Sequence, residues 1–307
     1  MKILVTGGAG FIGSNIADAY LAAGHRVMVI DNLYTGKMAN LNKKVKFYKA
    51  DIRDADKVAQ IFAREKFDVV NHHAAQMDVR KSVEDPVFDA QINVLGTLNL
   101  LENSVKNKVK KFIFSSSGGV MYGECGSKAP AETVPANPMS PYGVTKRTAE
   151  IYLNYYAATY GLKYLIFRYG NVYGPRQDPH GEAGVVAIFI QRMFAGQPVN
   201  IFGNGEQLRD YVYVGDVVKA NLLGLRSGVN EIINIGTQKG SSVNHLYRQL
   251  SDITGYGQKP VYKPARLGEL NKNFLNNGKA KRLLGWEPKV NFRDGLIKTA
   301  QYFRETR

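Results

Sequence analysis

The segment Met1–Gly13, "MKILVTGGAGFIG", decides the fold. An apolar run over residues 2–6 predicts a buried strand, and Gly7, Gly10 and Gly13 follow it before a helical pattern begins. Glycines at this spacing allow a tight turn, a close approach of the backbone to a pyrophosphate, and close packing of the helix on the strand. The free N–H groups at the start of such a helix favour phosphate. The segment therefore predicts a dinucleotide-binding βαβ unit.

Short apolar runs alternate with amphipathic patterns through the first half of the chain, which predicts βαβ units and a parallel sheet. The runs are apolar throughout, as expected where helices cover both faces of a sheet. The predicted strands are Lys2–Thr6, Arg26–Ile30, Val45–Lys49, Val69–His73, Phe112–Ser116, Tyr164–Tyr169 and Glu231–Ile235. The predicted helices are Ser14–Ala23, Ala55–Glu65, Val87–Asn107, Ser140–Tyr160, Val185–Ala195 and Asp216–Leu225.

The pattern changes from about Asn171, where glycine, proline and polar residues cluster. We expect residues 1–170 with about 211–236 to form a dinucleotide-binding domain, and residues 171–210 with 237–307 to form a substrate domain. The fold class is thus α/β, a Rossmann-type doubly wound parallel sheet with a smaller C-terminal α/β substrate domain.

Acidic and small residues end the strands that follow the glycine loop. Asp31 ends the second strand, where a carboxylate binds the adenosine ribose and repels a 2′-phosphate, so NAD is favoured over NADP. Asn32 adds a small polar group beside it. Asp51–Ile52 ends the third strand, where an acid can meet the adenine amino group, and Ala74–Ala75 ends the fourth, where small side chains let a cofactor lie close.

The composition limits the remaining classes of function. The 307 residues carry a net charge of +15 spread along the chain without a nucleic-acid motif, which favours an anionic small ligand over nucleic acid. No run of about 18 apolar residues exists, and we expect neither a membrane span nor a signal peptide. The single Cys125 fits a reducing, cytoplasmic compartment. The adjacent His72 and His73 point to opposite faces of a strand, so we predict no metal site.

Tyr142 and Lys146 stand four residues apart at the start of a predicted helix, in "SPYGVTK". This spacing places both side chains on one face of the helix. A phenol has a pKa near 10 and is a poor base at pH 7. A nearby ammonium and a cationic nicotinamide favour the phenolate, so we expect them to lower that pKa. The pair is the strongest catalytic candidate in the chain.

These motifs together resemble the extended short-chain dehydrogenase/reductase family, most closely its UDP-glucose 4-epimerase branch. The stretches that carry the resemblance span roughly residues 2 to 290, in the order of the family. They are "GGAGFIG", "DNLYTG", Asp51–Ile52, "HHAAQMDVRKSVEDP", Asn93, "SSSGGVMYGE", "SPYGVTK", "RYGNVYGPRQ" and "LRDYVYVGDV".

The resemblance implies a bound NAD that oxidises a sugar transiently. Tyr142 would take the proton of the sugar 4-hydroxyl, and Lys146 would hold the nicotinamide ribose. Ser117 would share a hydrogen bond with the 4-oxygen, with Ser116 as the weaker candidate and Ser115 serving the strand end. The residues expected to contact the cofactor are Gly7, Gly10, Phe11, Ile12, Gly13, Asp31, Asn32, Asp51, Ile52, Ala74, Ala75, Asn93, Tyr142, Lys146 and Tyr169.

The resemblance also implies a UDP-sugar substrate whose nucleotide lies in the small domain. Its expected contacts are Ser117, Asn171, Asn200, Phe202, Arg209, Arg266 and Glu269. Arginine suits a diphosphate because its planar group donates two hydrogen bonds at once. Asn273 stands where a residue of this family helps to set the width of the sugar pocket, and its modest size leaves room for an N-acetylhexosamine.

Several functions remain open on this scaffold. A 4,6-dehydratase needs a further acid and base, and Gly118, Gly119 and Val120 supply neither, which favours a 4-epimerase that interconverts UDP-glucose and UDP-galactose. A UDP-glucuronate 4-epimerase or decarboxylase, a nucleotide-sugar dehydratase, and a non-enzymatic NAD-sensing protein are the alternatives. By resemblance we expect a homodimer joined through two helices of each subunit, with Leu153, Tyr156 and Tyr160 as candidate contacts unless they belong to the subunit core.

Overall fold

The computed structural model describes residues 1–126, 128–179, 184–266 and 270–306. Its strands are β1 (Lys2–Thr6), β2 (Arg26–Asp31), β3 (Lys46–Lys49), β4 (Val69–His72), β5 (Lys111–Ser117), β6 (Lys163–Tyr169), β7 (Asn171–Tyr173), β8 (Asn200–Phe202), β9 (Leu208–Arg209), β10 (Tyr211–Tyr213), β11 (Glu231–Ile235), β12 (Ser241–Ser242), β13 (Val261–Lys263) and β14 (Lys272–Asn273). Its α-helices are α1 (Phe11–Ala22), α2 (Ala55–Glu65), α3 (Val79–Glu84), α4 (Pro86–Ala90), α5 (Gly96–Lys106), α6 (Pro141–Tyr160), α7 (Val185–Phe194), α8 (Val214–Arg226), α9 (Val243–Thr254), α10 (Gly278–Leu284) and α11 (Phe292–Glu305). Short 3₁₀ turns occupy Met38–Asn40 and Gly118–Val120, and a π-helical turn occupies Gln91–Leu95.

A seven-stranded parallel sheet, in the order β11-β6-β5-β4-β1-β2-β3, forms the centre of the molecule. Helices α2, α5 and α6 cover one face of the sheet, and α1 and α8 cover the other. Each face carries its own apolar cluster, because successive side chains of a strand point to opposite sides. The strand order reverses between β1 and β4, where such sheets open a crevice at their carboxyl ends. The predicted Rossmann-type fold is confirmed.

A third apolar cluster lies outside the sheet and joins α7, α9 and α11. Small sheets accompany it, with β10 on β7, β13 on β8, and β9 between β12 and β14. Between these segments the chain returns to the large sheet, where β11 pairs with β6. The predicted strand Glu231–Ile235 is found with those bounds. Within the described residues, no helix combines the length and apolar character that crossing a bilayer requires.

The predicted helix Val87–Asn107 is wrong as a single element. The chain forms α4, then the π-helical turn, then α5. Proline at the first position of α4 and the Asp85 side chain, which accepts a hydrogen bond from the Phe88 N–H at 2.9 Å, start α4 separately. The π turn turns Asn93 inward, where it is almost completely buried.

Helix α6 begins at a strong N-terminal signal. Ser140 accepts a hydrogen bond from the Gly143 N–H at 3.2 Å, and Pro141 occupies the first helical position. Gly161, with φ of 70°, ends the helix in a left-handed conformation. The prediction of Ser140–Tyr160 is therefore confirmed to within one residue.

A buried ion pair fixes α6 against the sheet. The Glu150 carboxylate accepts hydrogen bonds from the Arg168 guanidinium of β6 at 2.6 and 2.8 Å, and one from the Ser116 hydroxyl of β5 at 2.7 Å. Glu150 is fully buried, and Arg168 is 2% exposed. Arg168 also donates to the Tyr122 hydroxyl at 2.7 Å. The Glu150 hydrogen bonds thus tie one helix to two neighbouring strands.

Removal of the Arg168 charge tests this junction. Arg168→Met removes the buried partner of the Glu150 carboxylate and leaves it only the partly exposed Arg147 at 3.0 Å, so we expect the free energy of unfolding to fall by about 3 kcal/mol. Lys110→Met is the matched control, because it breaks the exposed 2.8 Å pair with Asp68, where the loss should be too small to resolve beside the first. Urea unfolding of both variants gives the comparison, and equal losses would contradict a structural role for the buried pair.

Candidate active site

A cleft of about 1810 Å³ opens at the carboxyl ends of the sheet strands and extends between the two parts of the molecule. Its walls include the glycine loop, the ends of β2 to β6, the start of α6, and residues of β7, β9 and β14. The volume exceeds that of an ordinary drug-sized pocket, which is about 300–1,000 Å³. The cleft therefore has room for two ligands side by side.

The glycine loop forms a cradle that other side chains would fill. Gly7 has φ of +66°, and a Cβ there would lie 2.6 Å from the Ala74 N atom. A Cβ on Gly13 would lie 2.3 Å from the Gly7 carbonyl oxygen. Helix α1 begins at Phe11, three residues earlier than predicted, so its free N–H groups face the cleft directly after Gly10. This cradle fits the pyrophosphate of NAD.

Asp31 organises the loop as well as facing the cleft. Its carboxylate accepts hydrogen bonds from the Ala9 N–H at 3.0 Å and the Leu33 N–H at 2.8 Å. Burial raises the pKa of Asp31 above its ordinary value, while these two N–H groups lower it. Asn32, Asp51, Ile52, Ala74 and Ala75, all predicted cofactor contacts, line the same wall of the cleft.

Asp51 already has a basic partner. Arg53 donates to its two carboxylate oxygens at 3.0 and 2.9 Å, and the Asn32 amide donates at 3.0 Å. The arginine hydrogen bonds are the largest cause that lowers the pKa of Asp51 to about 2. Asp51 is therefore ionised at neutral pH, which suits an acceptor of a hydrogen bond from an adenine amino group.

Asn93 is placed differently from a simple cofactor contact. Its side-chain oxygen accepts from the Gln76 N–H at 3.0 Å, and its amide nitrogen donates to the Gln76 carbonyl at 2.9 Å and to Asp89 at 3.0 Å. These bonds hold the segment that follows Ala74–Ala75. Asn93 is therefore buried outside the lining of the cleft, and it supports the cofactor wall through its hydrogen bonds to Gln76.

Tyr142, Lys146 and Ser117 meet where α6 faces the end of β5. The Ser117 hydroxyl lies near enough to the Tyr142 hydroxyl to lower the pKa of the phenol. The Lys146 ammonium lies 5.8 Å from the centre of the Tyr142 ring and donates to the Ser115 carbonyl at 2.9 Å. All three side chains line the cleft, and Tyr169 lines it beside them. The predicted catalytic residues are thus brought together.

The pKa of Tyr142 differs from the expectation drawn from sequence. Burial is the largest influence and raises the pKa above 10, and the charge of Asp89 raises it further. The hydrogen bond from Ser117, rather than the Lys146 ammonium, is the influence that lowers it. Burial also lowers the pKa of Lys146 to about 8, with Asp89 and Glu150 acting in the opposite direction.

The three serines at the end of β5 have three different environments. Ser116 is 3% exposed and donates to Glu150, so its hydroxyl serves the buried ion pair. Ser115 contributes its carbonyl to Lys146. Ser117 lines the cleft and is the one of the three whose hydroxyl lowers the pKa of Tyr142. The geometry therefore favours Ser117, the first choice from sequence, over Ser116.

His72 and His73 point to opposite sides of the strand, as their adjacent positions predict. His72 bonds to Thr6 at 2.7 Å and Thr97 at 2.9 Å inside the sheet. His73 faces the other way, stacks on Tyr169 and lines the cleft. Burial lowers the pKa of His73 to about 3, so the ring is neutral at physiological pH. Among the residues that the structure describes, no group of His, Cys, Asp and Glu has the arrangement of a metal site.

The far end of the cleft carries part of the predicted substrate set. Asn171, Arg209 and Arg266 line it, and the Arg266 guanidinium lies 4.0 Å from the centre of the Phe202 ring. Asn200 sits on β8, paired with β13, and is not among the described residues that line the cleft. The predicted contact Glu269 lies outside the described residues.

Sequence reasoning missed two groups at the cofactor end. The Lys81 ammonium of α3 donates to the Tyr34 hydroxyl at 2.6 Å, and both residues line the cleft. The ammonium also lies 4.6 Å from the centre of the Phe88 ring. The helical position of Lys81, four residues before Asp85, gives no signal for this contact, because Tyr34 belongs to a distant loop.

Tyr142 and the buried Lys146 thus lie in one cleft with the glycine cradle, and comparisons with known proteins confirm the extended short-chain dehydrogenase/reductase class predicted from sequence. Residues 3–236 match the NAD dependent epimerase/dehydratase family, and the chain belongs to this family. A putative UDP-glucose 4-epimerase of Methanocaldococcus jannaschii is 47% identical over 302 residues, which are 98% of each chain.

Solved structures agree with that relationship. A UDP-glucose 4-epimerase of Thermotoga maritima, determined with UDP-glucose, superposes with a TM-score of 0.98 at 54% identity and covers 100% of this chain and 99% of its own. A UDP-glucose 4-epimerase of Thermus thermophilus, determined with NAD, superposes with a TM-score of 0.96 at 45% identity over the whole of both chains.

Gly13→Ala tests the cofactor cradle. The added Cβ meets the Gly7 carbonyl, which is backbone and cannot move aside, so we expect the purified protein to lose most of its bound NAD. The matched control is Gly257→Ala, where no atom lies within 4 Å of the added Cβ. NAD released by acid from equal amounts of each protein gives the measurement. Full NAD content in Gly13→Ala would contradict the cradle.

Proposed function

We propose that the protein is an NAD-dependent UDP-sugar 4-epimerase that interconverts UDP-glucose and UDP-galactose. The observation that carries the proposal is the meeting of Ser117, Tyr142 and Lys146 in the cleft, where the three residues directly after Ser117, Gly118, Gly119 and Val120, supply no acid or base. The relatives described above bear the name UDP-glucose 4-epimerase, and the prediction of an NAD-dependent epimerase from sequence is confirmed.

The reaction assigns one task to each catalytic side chain. Bound NAD supplies a hydride acceptor and donor at the sugar C4 atom. The Tyr142 oxygen takes the proton of the 4-hydroxyl as the hydride leaves and gives it back when the hydride returns to the other face. Ser117 orients the 4-oxygen and stabilises the phenolate through its hydrogen bond. Lys146 adds positive charge beneath the tyrosine ring.

The loop after Ser117 supports epimerisation over dehydration. A Cβ on Gly118 would lie 2.4 Å from a methyl carbon of Leu275, so an acidic side chain does not fit there without displacing Leu275. A Cβ on Gly119 would lie 3.6 Å from the Ser117 hydroxyl oxygen, an ordinary contact distance. An acid at position 119 would therefore stand beside the Ser117 hydroxyl, and the glycine leaves that place without a proton donor.

Charge and size at the far end support a UDP-sugar as the substrate. Arg209 and Arg266 offer positive charge for a diphosphate, and Asn171 lies between them and the catalytic loop. Asn273 donates to the Gly119 carbonyl at 2.7 Å, and its buried oxygen has no hydrogen-bond partner among the described residues. That oxygen is free to accept a hydrogen bond from a sugar hydroxyl or the N–H group of an N-acetylhexosamine.

We also propose a homodimer in the cytoplasm. Leu153 and Tyr156 are core residues of the subunit, so their candidacy as dimer contacts is wrong. Val87, Leu95 and Ile151 are 65%, 58% and 52% exposed on the α4–α6 region and supply an apolar face for a second copy. Three further residues of α6 are exposed and belong to the proposed face: Val144, Tyr155 and Tyr160.

We further propose that the two parts of the chain bind different ligands. Residues 1–170 with about 211–236 would hold NAD, and residues 171–210 with 237–307 would hold the nucleotide sugar. The third apolar cluster, which lies apart from the two that cover the sheet, supports this division.

A product assay tests the proposed activity. The purified protein is incubated with UDP-glucose, UDP-galactose, their N-acetyl forms, and UDP-glucuronate. We expect interconversion of the 4-epimers of glucose and galactose with no net consumption of NAD. A 4-keto-6-deoxy product would assign a dehydratase, release of carbon dioxide would assign a decarboxylase, and absence of any turnover with bound NAD would favour an NAD-sensing protein.

Two serine variants test the assigned roles in catalysis. Ser117→Ala removes the hydroxyl that lowers the pKa of Tyr142, so we expect kcat to fall by about 10²-fold or more while bound NAD stays. Ser116→Ala is the matched control and should lower stability more than kcat, because its hydroxyl bonds to Glu150. Tyr142→Phe should abolish turnover. Turnover in Ser117→Ala equal to the parent rate would remove Ser117 from its role.

A further inference from the structure

A second buried carboxylate stands behind the catalytic helix. Asp89, on α4, has no solvent exposure. One of its oxygens accepts hydrogen bonds from the side-chain amides of Gln76 at 2.9 Å and Asn93 at 3.0 Å. The other accepts from the Thr145 hydroxyl at 2.6 Å. The carboxylate thus receives three hydrogen bonds from three separate parts of the chain.

These partners join the two walls of the active site. Thr145 lies in the first turns of α6, between Tyr142 and Lys146 in sequence. Gln76 lines the cleft in the segment after β4. Asp89 therefore holds the catalytic turn of α6 at a fixed distance from the cofactor wall.

Asp89 and Glu150 differ in whether a cationic side chain is paired with the carboxylate. Glu150 is paired with the guanidinium groups of Arg168 at 2.6 Å and Arg147 at 3.0 Å. The three hydrogen-bond donors to Asp89 are neutral side chains, and no ion pair to it is found among the described residues. A buried carboxylate without a cationic partner acts strongly on nearby titratable groups.

The groups that face Tyr142 come from several elements. Lys146 faces it from the same helix, Ser117 from β5, and Asp89 from α4. The charge of Asp89 raises the pKa of both Tyr142 and Lys146. His73 on the neighbouring strand end is neutral, because burial and then Lys146 lower its pKa to about 3.

His72 lies inside the sheet, and burial there lowers its pKa well below the ordinary value. With both histidines neutral, two buried carboxylates act on the catalytic pair. Asp89 raises the pKa of both Tyr142 and Lys146 and has no ion pair among the described residues, whereas Glu150 acts on Lys146 and is paired with arginine.

We propose that Asp89 is a positioning residue that fixes the first turns of α6 and supplies the negative charge under which Tyr142 and Lys146 titrate. The inference rests on the proposed epimerase function. It goes beyond that function because it assigns the pH range of catalysis to a residue that touches neither substrate nor cofactor.

Asp89→Asn separates the charge from the hydrogen bonds. The asparagine oxygen keeps accepting from Gln76 and Asn93. Its amide donates to the Thr145 oxygen, whose own hydroxyl proton turns to the Tyr142 carbonyl, 3.0 Å away. The variant thus retains its partners and loses only the negative charge. Thr145→Val is the matched control, because it loses a hydrogen bond and retains the charge.

The measurement is the pH dependence of kcat/KM for the NAD-loaded protein, which reports the titration of the free enzyme. In Asp89→Asn the pKa values of Tyr142 and Lys146 both fall, so we expect the acidic and basic limbs to move to lower pH by about one unit. In Thr145→Val we expect a lower kcat/KM with both limbs in place. Unmoved limbs in Asp89→Asn would overturn the proposal.

Two further measurements keep the outcome clear. The melting temperature and NAD content of each variant show whether it is folded. If Asp89→Asn does not fold, Asp89→Ser is neutral and smaller and must give the same displacement of the limbs. Absence of epimerisation by the parent protein would refute the proposed function instead, whereas an active parent with unmoved limbs in the neutral variant would refute only the role of Asp89.

Discussion

The buried pair between Glu150 and Arg168 is the interaction on which the catalytic geometry depends. It joins α6, which carries Tyr142 and Lys146, to β5 and β6, which end at Ser117 and Tyr169. Lys146 and Tyr142 lie about one and two helical turns before Glu150 on α6. Ser117 directly follows Ser116, and Tyr169 directly follows Arg168. Because a buried ion pair requires a defined geometry to offset the desolvation of its charges, helix and sheet meet in one register. The proximity of Tyr142 and Ser117 follows from that register.

Steric exclusion governs the opposite wall of the cleft. At Gly7 and Gly13 the backbones approach so closely that a single methyl group would collide with a carbonyl or an amide. Gly118 is enclosed in a similar way by Leu275, whereas a Cβ on Gly119 would meet the Ser117 hydroxyl at an ordinary contact distance of 3.6 Å. The first three glycines thus serve packing, and the fourth affects the chemistry, because a larger residue there would enter the reaction site.

The sequence was sufficient to predict the large sheet and most of the site. Apolar runs marked β1 and β11 to the residue, because both faces of these strands are covered and the pattern ends abruptly at polar residues. The interruption between α4 and α5 was not predicted, since a π turn has no periodicity of its own. Asp89 was missed for a related reason. Its partners Gln76 and Thr145 are distant in sequence, and an acidic residue in a helix ordinarily indicates a solvated face. The rise that burial causes in the pKa of Tyr142 was not predicted, because spacing shows which charges are near but not how far water is excluded.

The return of β11 to the large sheet has an evolutionary consequence. The chain leaves the sheet after β6, builds part of the smaller core, and comes back before it completes that core with α9 and α11. The residues at the far end of the cleft therefore come from chain segments on both sides of β11, and recombination could not exchange them as one continuous segment. Single substitutions at cleft residues such as Gly119 and Asn273 change the space beside Ser117 without any exchange of segments. Relatives with different substrates can then share nearly the same backbone.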